Sequence, residues 1–395
     1  MAVIDKSDEA WQRDKEEGLA AIEKHSSSTR REKLPPIDQM LNVRDLEEAA
    51  EKVMDPAGWA YYCSGGDDEV SLRENVAAFG RLWLRPRVLV DVSRVDVSAR
   101  LLGAASSFPL YVSATAMGKL ADPAGEVAIN RACAQQGVVY MVPTLGSCSV
   151  GEILASSPPG HTNWFQLYVN RDREVTERVV KTAAANGAKA IFVTVDAPQL
   201  GRRERDMRFK AKKKPDQLKF DDSVETGRGI AKQLTSFIDP ALQWSDLPWL
   251  ASLSGLPLAV KGVQCGEDAV LAARAGCRAI VLSNHGGRQL DYARSAVELL
   301  PEVVAALRHA GLRQQVELYV DGGIRRGTDI FKALALGADA VGIGRPALYG
   351  LAAYGADGVS KVLSLLRDEF ATCMMLCGCA SLEMIKPEMI LSAKL

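Results

Sequence analysis

The sequence predicts an α/β fold, a (β/α)8 TIM barrel with an N-terminal helical extension and a long loop after the fourth strand. Three observations carry that reading. Eight short runs, nearly continuous in β-branched and other apolar residues, recur between residues 109 and 343, and most are followed by a helical pattern, as strands buried on both faces of a parallel sheet require. Glycine-rich turns follow the seventh and eighth runs, where such barrels hold phosphate; a doubly wound open sheet would carry its glycine fingerprint after the first. Polar residues that a core would reject close the third to sixth runs.

In chain order, residues 1–35 form a charged N-terminal extension and 36–395 the barrel domain. The extension ends at Lys33-Leu-Pro-Pro-Ile37, a boundary because the residue before a proline is pushed out of helix, and it is expected to pack loosely or mediate contacts. Asn42 is the expected cap of an amphipathic helix over 42–53. The predicted strands are 109–113, 138–142, 164–168, 190–195, 258–261, 279–282, 317–320 and 340–343. One connection, from about 197 to 256, is far longer than the rest and carries Arg202-Arg-Glu-Arg-Asp206 and Lys210-Ala-Lys-Lys-Lys214; it reads as a solvated loop.

Composition excludes several functions. Of 395 residues, 47% are hydrophobic and 25% charged, so a sizeable core can be buried. Forty-eight Lys and Arg against 49 Asp and Glu give a net charge of −1, no global reason to bind nucleic acid or an acidic membrane. Eight cysteines lack CxxC spacing, which argues against a thiolate metal centre and for a reducing compartment; Cys373, Cys377 and Cys379 read as buried free thiols. The start has no apolar signal segment, and the uncharged stretches 101–118 and 132–151 are broken by Pro109, Gln135, Gln136 and Pro143, so no membrane span is expected. A soluble intracellular protein without a bound metal follows. Of the four histidines, His25, His161 and His309 lie in bland contexts, and only His285 lies at a strand end.

Chemistry collects at the strand ends. Asp321-Gly-Gly-Ile-Arg-Arg-Gly-Thr328 and Gly342-Ile-Gly-Arg-Pro346 combine glycines, helix N-termini and arginine, a phosphate site in which a phosphorylated substrate and a phosphorylated cofactor fit equally well. Tyr168, Asp196, Lys261 and His285 close or follow strands three to six, and the barrel geometry points all four into one cavity. Asp196 can orient His285 as a general base, and Arg288 with Arg203 can clamp a carboxylate. Base, clamp and phosphate-anchored cofactor amount to proton abstraction beside a carboxylate with an electron sink nearby, which FMN supplies. The rival from another class is a phosphosugar isomerase or lyase, and a second rival is a non-catalytic binding barrel.

The motifs Trp59-Ala-Tyr-Tyr-Cys-Ser-Gly-Gly66, Gln166-Leu-Tyr168, Thr194-Val-Asp196, Gly201-Arg-Arg203, Lys261-Gly262, Ser283-Asn-His-Gly-Gly-Arg-Gln289, Asp321-Gly-Gly-Ile-Arg325 and Gly344-Arg345 carry a resemblance over residues 36 to the C-terminus. The chain resembles the FMN-dependent L-2-hydroxy acid dehydrogenase and oxidase family. Through Lys33-Leu-Pro-Pro-Ile-Asp38 and Asn163-Trp-Phe-Gln-Leu-Tyr-Val-Asn170 it looks most like the flavin domain of the haem-containing L-lactate dehydrogenases, with too few residues in front for a haem domain. The resemblance implies FMN as cofactor, His285 as base with Asp196 its partner, Arg288 and Tyr61 on the substrate carboxylate with Arg203 assisting, and Tyr168 on the substrate hydroxyl. It places Lys261 at the flavin pyrimidine edge. Flavin contacts would come from Ser113, Ala114, Thr115, Ala116, Gln166 and Thr194, and from Asp321, Gly322, Gly323, Arg325, Gly344 and Arg345 of the two loops.

The implied reaction is oxidation of an L-2-hydroxy acid, L-lactate to pyruvate first, with oxygen or a cytochrome as acceptor and a homotetramer as the assembly. The alternative is a peroxisomal-type (S)-2-hydroxy acid oxidase of longer-chain range that makes hydrogen peroxide. Two positions depart from the family pattern. Pro143 stands where a small hydroxyl residue is usual near the flavin, and Leu145 stands where several glycolate-oxidising members carry an aromatic, which favours lactate or a larger acid. Ala393-Lys-Leu395 resembles a peroxisomal address, with cytoplasm or mitochondrion as the other locations.

Overall fold

The computed structural model describes residues 30–213 and 237–392. Eight parallel strands, β1 (Leu110–Val112), β2 (Val139–Pro143), β3 (Asn163–Leu167), β4 (Ile191–Thr194), β5 (Leu258–Val263), β6 (Ala279–Leu282), β7 (Glu317–Asp321) and β8 (Ala340–Ile343), close into a barrel in chain order, with Val341 of β8 opposite Leu110 of β1. Every apolar run holds one of these strands, its ends moved by no more than two residues. All eight are buried almost throughout, which is why none alternates apolar with polar residues.

The lower barrel is solid. Trp164 stacks on Phe192 and on Tyr319, with ring centroids 4.7 and 5.5 Å apart. Leu101, from a short hairpin of Ala99–Leu101 and Ala104–Ser106, packs under these rings, and the backbone N–H of Leu102 donates to Glu317 at the start of β7. Only the C-terminal end of the barrel is therefore open for chemistry.

Among the described residues, the α-helices Val43–Val53, Pro56–Cys63 and Val70–Gly80 precede the barrel. Val43–Val53 buries Val43, Leu46, Ala49, Ala50 and Val53, and the Asn42 side chain caps it by accepting from the N–H groups of Arg44 and Asp45. Pro56–Cys63 starts behind an Asp55 cap with proline in its first turn and carries Tyr61 to the barrel mouth. Val70–Gly80 follows. The pairing of Leu82–Leu84 with Ile390–Ser392 ties the start of the domain to its end.

Two expectations need correction. The end of the extension does not pack loosely: Arg31 donates to the carbonyls of Ala352, Leu351 and Ala121 at 2.8 to 2.9 Å and pairs with Asp122 at 2.6 Å. The connection after β4 is not structureless either, because Glu204–Lys213 and Leu247–Ser252 are helical. Glu204 and Asp206 sit in the first turn of the former, where acidic groups suit the helix dipole, and Arg208 pairs with Glu204 one turn away. Residues 1–29 with His25, the end of the basic run at Lys214, and Ala393-Lys-Leu395 lie outside the described residues.

The last helix, Arg345–Cys377, breaks at Tyr354 and Gly355, and Cys373, Cys377 and Cys379 are buried and free as expected. Among the described residues no helix is long and apolar enough to cross a membrane, and no group of His, Cys, Asp or Glu could hold a metal ion.

Candidate active site

At the C-terminal mouth lies an open cleft of about 1160 Å³, counting the space open to solvent. His285, Arg288, Tyr168, Tyr61, Arg203 and Lys261 all line it, as do Ser113, Ala114, Thr115, Ala116, Gln166, Thr194, Asp321, Gly322, Gly323, Arg325, Gly344 and Arg345. Asp196 stands just behind. The structure thus brings together every residue the sequence singled out.

His285 follows β6 in the left-handed region, at φ +59°, in a turn continued by Gly286 and Gly287. Its Nδ1 lies 2.8 Å from Asp196 Oδ1 and its Nε2 3.3 Å from the Tyr168 hydroxyl. A carboxylate at Nδ1 fixes the proton there and leaves Nε2 as the acceptor facing the cleft. Burial pushes His285 below the ordinary histidine range; Asp196 pulls it back only in part, and Lys261 and Arg203 add to the depression. Burial alone would raise Asp196, but His285, by its charge whenever it is protonated and by its hydrogen bond, and the charge of Lys261 hold its carboxyl below the usual range. The site therefore holds a neutral imidazole against an ionised carboxylate.

Gly262 makes this approach possible. It sits at a bulge of β5 with φ +112°, and a Cβ there would lie 2.6 Å from the Asp196 side chain. Beside it, Lys261 donates to Ser283 Oγ at 3.0 Å and pairs with Asp321 at 3.3 Å. Burial would lower Lys261, yet the charges of Asp321 and Asp196 raise it, so the ammonium is secure. The Asp321 carboxylate faces Lys261, Ser283 and Ser113, so it holds the lysine from the cleft wall.

Arg288 lies with its guanidinium 4.9 Å over the Tyr61 ring and donates through Nη1 to the carbonyls of Tyr61 and Tyr62 at 2.6 and 3.3 Å. Burial, then the charges of Arg203 and Arg345, pull it down to about 9, against the opposing pull of Tyr61 and Asp206. Arg203 Nε is buried with no hydrogen-bond partner among the described residues. Arg345 is committed to backbone, donating to Tyr62, Gly286 and Ser64 carbonyls, whereas Arg325 gives one bond to Ile324 O and stacks over Tyr349 at 5.9 Å.

The glycines divide by cause. A Cβ on Gly344 would meet only Thr115 Cγ2 at 3.4 Å, whereas one on Gly323 would sit 1.8 Å from the Asn75 carbonyl oxygen. Gly323 is thus dictated by the helix packed behind the loop, at φ +87°. Gly323→Ala should push the loop after β7 into the cleft, lowering both FMN affinity and melting temperature; a variant that keeps both would refute this cause.

Leu200, Ile238 and Leu348 line the cleft outside every motif, and Tyr62 and Ile324 line it within motifs that give them no role of their own. Thr144, next to Pro143, ties β2 to β3 by donating from Oγ1 to Gln166 O at 2.5 Å and accepting from Tyr168 N at 3.1 Å. Gln166 in turn donates to Thr194 Oγ1 at 2.9 Å.

An orphaned Thr115 hydroxyl, clustered arginines and a buried lysine around apolar walls suit a flat ring bearing one phosphate. Fold and cleft define the class, a flavin-binding (β/α)8 barrel. Residues 50–392 match the FMN-dependent dehydrogenase family, and the chain belongs to it; its cofactor is FMN.

Among curated relatives, the L-lactate dehydrogenase (cytochrome) of Wickerhamomyces anomalus is 48% identical over 91% of this chain and 63% of its own length. That of Saccharomyces cerevisiae is 46% identical over 90% and 61%. The chain therefore spans about three-fifths of those two relatives. A peroxisomal (S)-2-hydroxyacid oxidase of Arabidopsis thaliana is 44% identical over 88% of this chain and 95% of that protein. The flavin-binding domain of baker's yeast flavocytochrome b2 superposes with a TM-score of 0.84 at 41% identity, covering 99% of this chain and 93% of that one. Mandelate oxidase gives 0.80 at 37% identity, over 89% and 98%.

Proposed function

We propose that the chain oxidises an L-2-hydroxy acid to the 2-oxo acid, L-lactate to pyruvate first, with the electrons passing to FMN. The observation that carries this reading is the Tyr168–His285–Asp196 chain set beside the guanidinium groups of Arg288 and Arg203, which line the same cleft. Arg288 and Arg203 bind the substrate carboxylate and Tyr61 borders it. Tyr168 accepts or donates at the hydroxyl, so the carbon bearing it is held against His285 Nε2. That nitrogen takes the proton, and Asp196 supports the imidazolium formed. Bound FMN supplies the two-electron sink, with Lys261, Thr115, Gln166, Thr194 and Arg325 placed to hold it. Lys261 is kept protonated by Asp321 and can stabilise negative charge that develops at the ring edge.

Anaerobic mixing tests this directly: L-lactate should bleach the oxidised flavin band and D-lactate should not. If no small L-2-hydroxy acid bleaches it, the reading fails. The acceptor is oxygen or a cytochrome, and peroxide formed in proportion to lactate consumed would assign oxygen. The peroxisomal relative supports a peroxisomal location, and the exposed Trp83, Val88, Leu89 and Leu376 support contact with further copies of the chain, a homotetramer in this reading.

Leu145 sets substrate size in this reading, since it follows β2 and lines the cleft at 8% exposure. Leu145→Trp should shift the ratio of kcat/KM values from lactate toward glycolate by at least ~10-fold, since even one methylene in such a pocket is worth that much. An unchanged rank order with a lowered melting temperature would make Leu145 a packing residue instead.

A further inference from the structure

We propose that Gln289 is the positioning residue that locks the carboxylate clamp, holding the loop that carries Arg203 against the loop that carries Arg288. The inference rests on the clamp reading above. Gln289 follows Arg288 directly and is buried, with 5% exposure, yet it does not line the cleft. Its amide spans the whole turn from Asp196 to Gly201. Nε2 donates to Asp196 O at 3.0 Å and to Gln199 O at 2.9 Å, and Oε1 accepts from Gly201 N at 3.2 Å.

Two carbonyls and one N–H admit only one orientation of the amide, so the side chain acts as a three-point template for the backbone between Asp196 and the segment that leads to Arg203. The two backbones are in direct contact there. A Cβ on Gly201 would lie 2.4 Å from Arg288 O and 2.7 Å from Gln289 O, which is why glycine stands two residues before Arg203.

A third segment closes the arrangement from the Tyr61 side. Gly66 N donates to Gly287 O and Asp67 N to Arg202 O, both at 2.8 Å, and Arg205 bonds Glu69 at 3.0 Å and the Cys63 carbonyl. Arg203 itself has no partner for its buried Nε among the described residues. The backbone that carries it thus bears on its direction, and among the described residues Gln289 is the one side chain that bonds that backbone stretch at three points. A glutamate here would set carboxylate oxygen against two carbonyl oxygens at almost unchanged volume.

The test uses the FMN-loaded enzyme and oxalate, a dianion that reports the clamp by perturbing the flavin spectrum without turnover. Gln289→Glu should retain FMN and weaken oxalate about tenfold, the order expected when a charged hydrogen bond is misaimed. Arg203→Met should weaken it as well, and the double variant should bind no worse than Arg203→Met alone. Should Gln289→Glu lose FMN, Gln289→Met removes the same three bonds without adding charge, and the same criteria apply. Losses that multiply in the double variant, or wild-type oxalate affinity in the Gln289 variants, overturn this inference and leave the clamp standing. An Arg203→Met enzyme with unchanged oxalate affinity overturns both.

Discussion

His285→Gln should keep FMN bound and slow flavin reduction by L-lactate at least ~10²-fold, the size of a lost general base. Glutamine keeps a polar group near Asp196 and Tyr168 but cannot take a proton. Near-normal reduction would remove His285 from the mechanism. The pH dependence carries a sign. Only neutral imidazole accepts the proton, so kcat/KM should rise as pH climbs through the His285 pKa and level off above it. Since burial lowers that pKa, the rising limb belongs below the ordinary value of 6.5. Asp196 raises the pKa of His285, so Asp196→Asn should move the limb to lower pH while dropping the plateau by on the order of 10²-fold or more, because the imidazolium loses its partner. A limb that moved upward would mean another group is titrating.

The eight strands were legible because a strand walled on both sides must be apolar throughout, and nothing else in an α/β chain reads that way at regular intervals. The residues at their C-terminal ends followed from geometry, since Tyr168, Asp196, Lys261 and His285 sit where a core gives them no reason to be. What stayed hidden depends on contacts far apart in the chain. Leu82–Leu84 and Ile390–Ser392 are three-residue strands whose partners lie some three hundred residues away, so neither carries a local pattern. Arg31 reads as one more charge in a charged segment until Ala352 and Asp122 are brought beside it.

Physical cause was harder to read than position. The glycines after β7 could be matched to a phosphate loop, yet Gly323 answers to the Asn75 carbonyl. Asp321 sits in the same loop and serves Lys261. Gln289 ends the motif Ser283-Asn-His-Gly-Gly-Arg-Gln289 without declaring a role, because an amide's purpose is its three partners, and those are set by the fold. The helix Glu204–Lys213 hides in a charged run that reads as solvation, although Glu204 and Arg208 are spaced to pair along it.

Arg288→Lys should hurt both KM and kcat while leaving the charge in place. A guanidinium can serve two masters: Nη1 is already spent on the carbonyls of Tyr61, Tyr62 and Ser64, and the other edge remains for a carboxylate. An ammonium is a single point and cannot do both. Each charged hydrogen bond lost is worth roughly 1.5 to 3 kcal/mol, or about ten- to a hundredfold in kcat/KM. The competing account makes Arg288 a brace for the Tyr61 helix and nothing more. A brace would show itself as lost FMN or a lowered melting temperature with lactate affinity unchanged in the enzyme that remains loaded. Lactamide separates the two accounts without any mutation, because it keeps the hydroxyl and the shape and loses the anion. If the clamp is right, unmutated enzyme turns lactamide over at least about tenfold less well than lactate, and Arg288→Lys narrows that gap; equal turnover of acid and amide leaves Arg288 a brace.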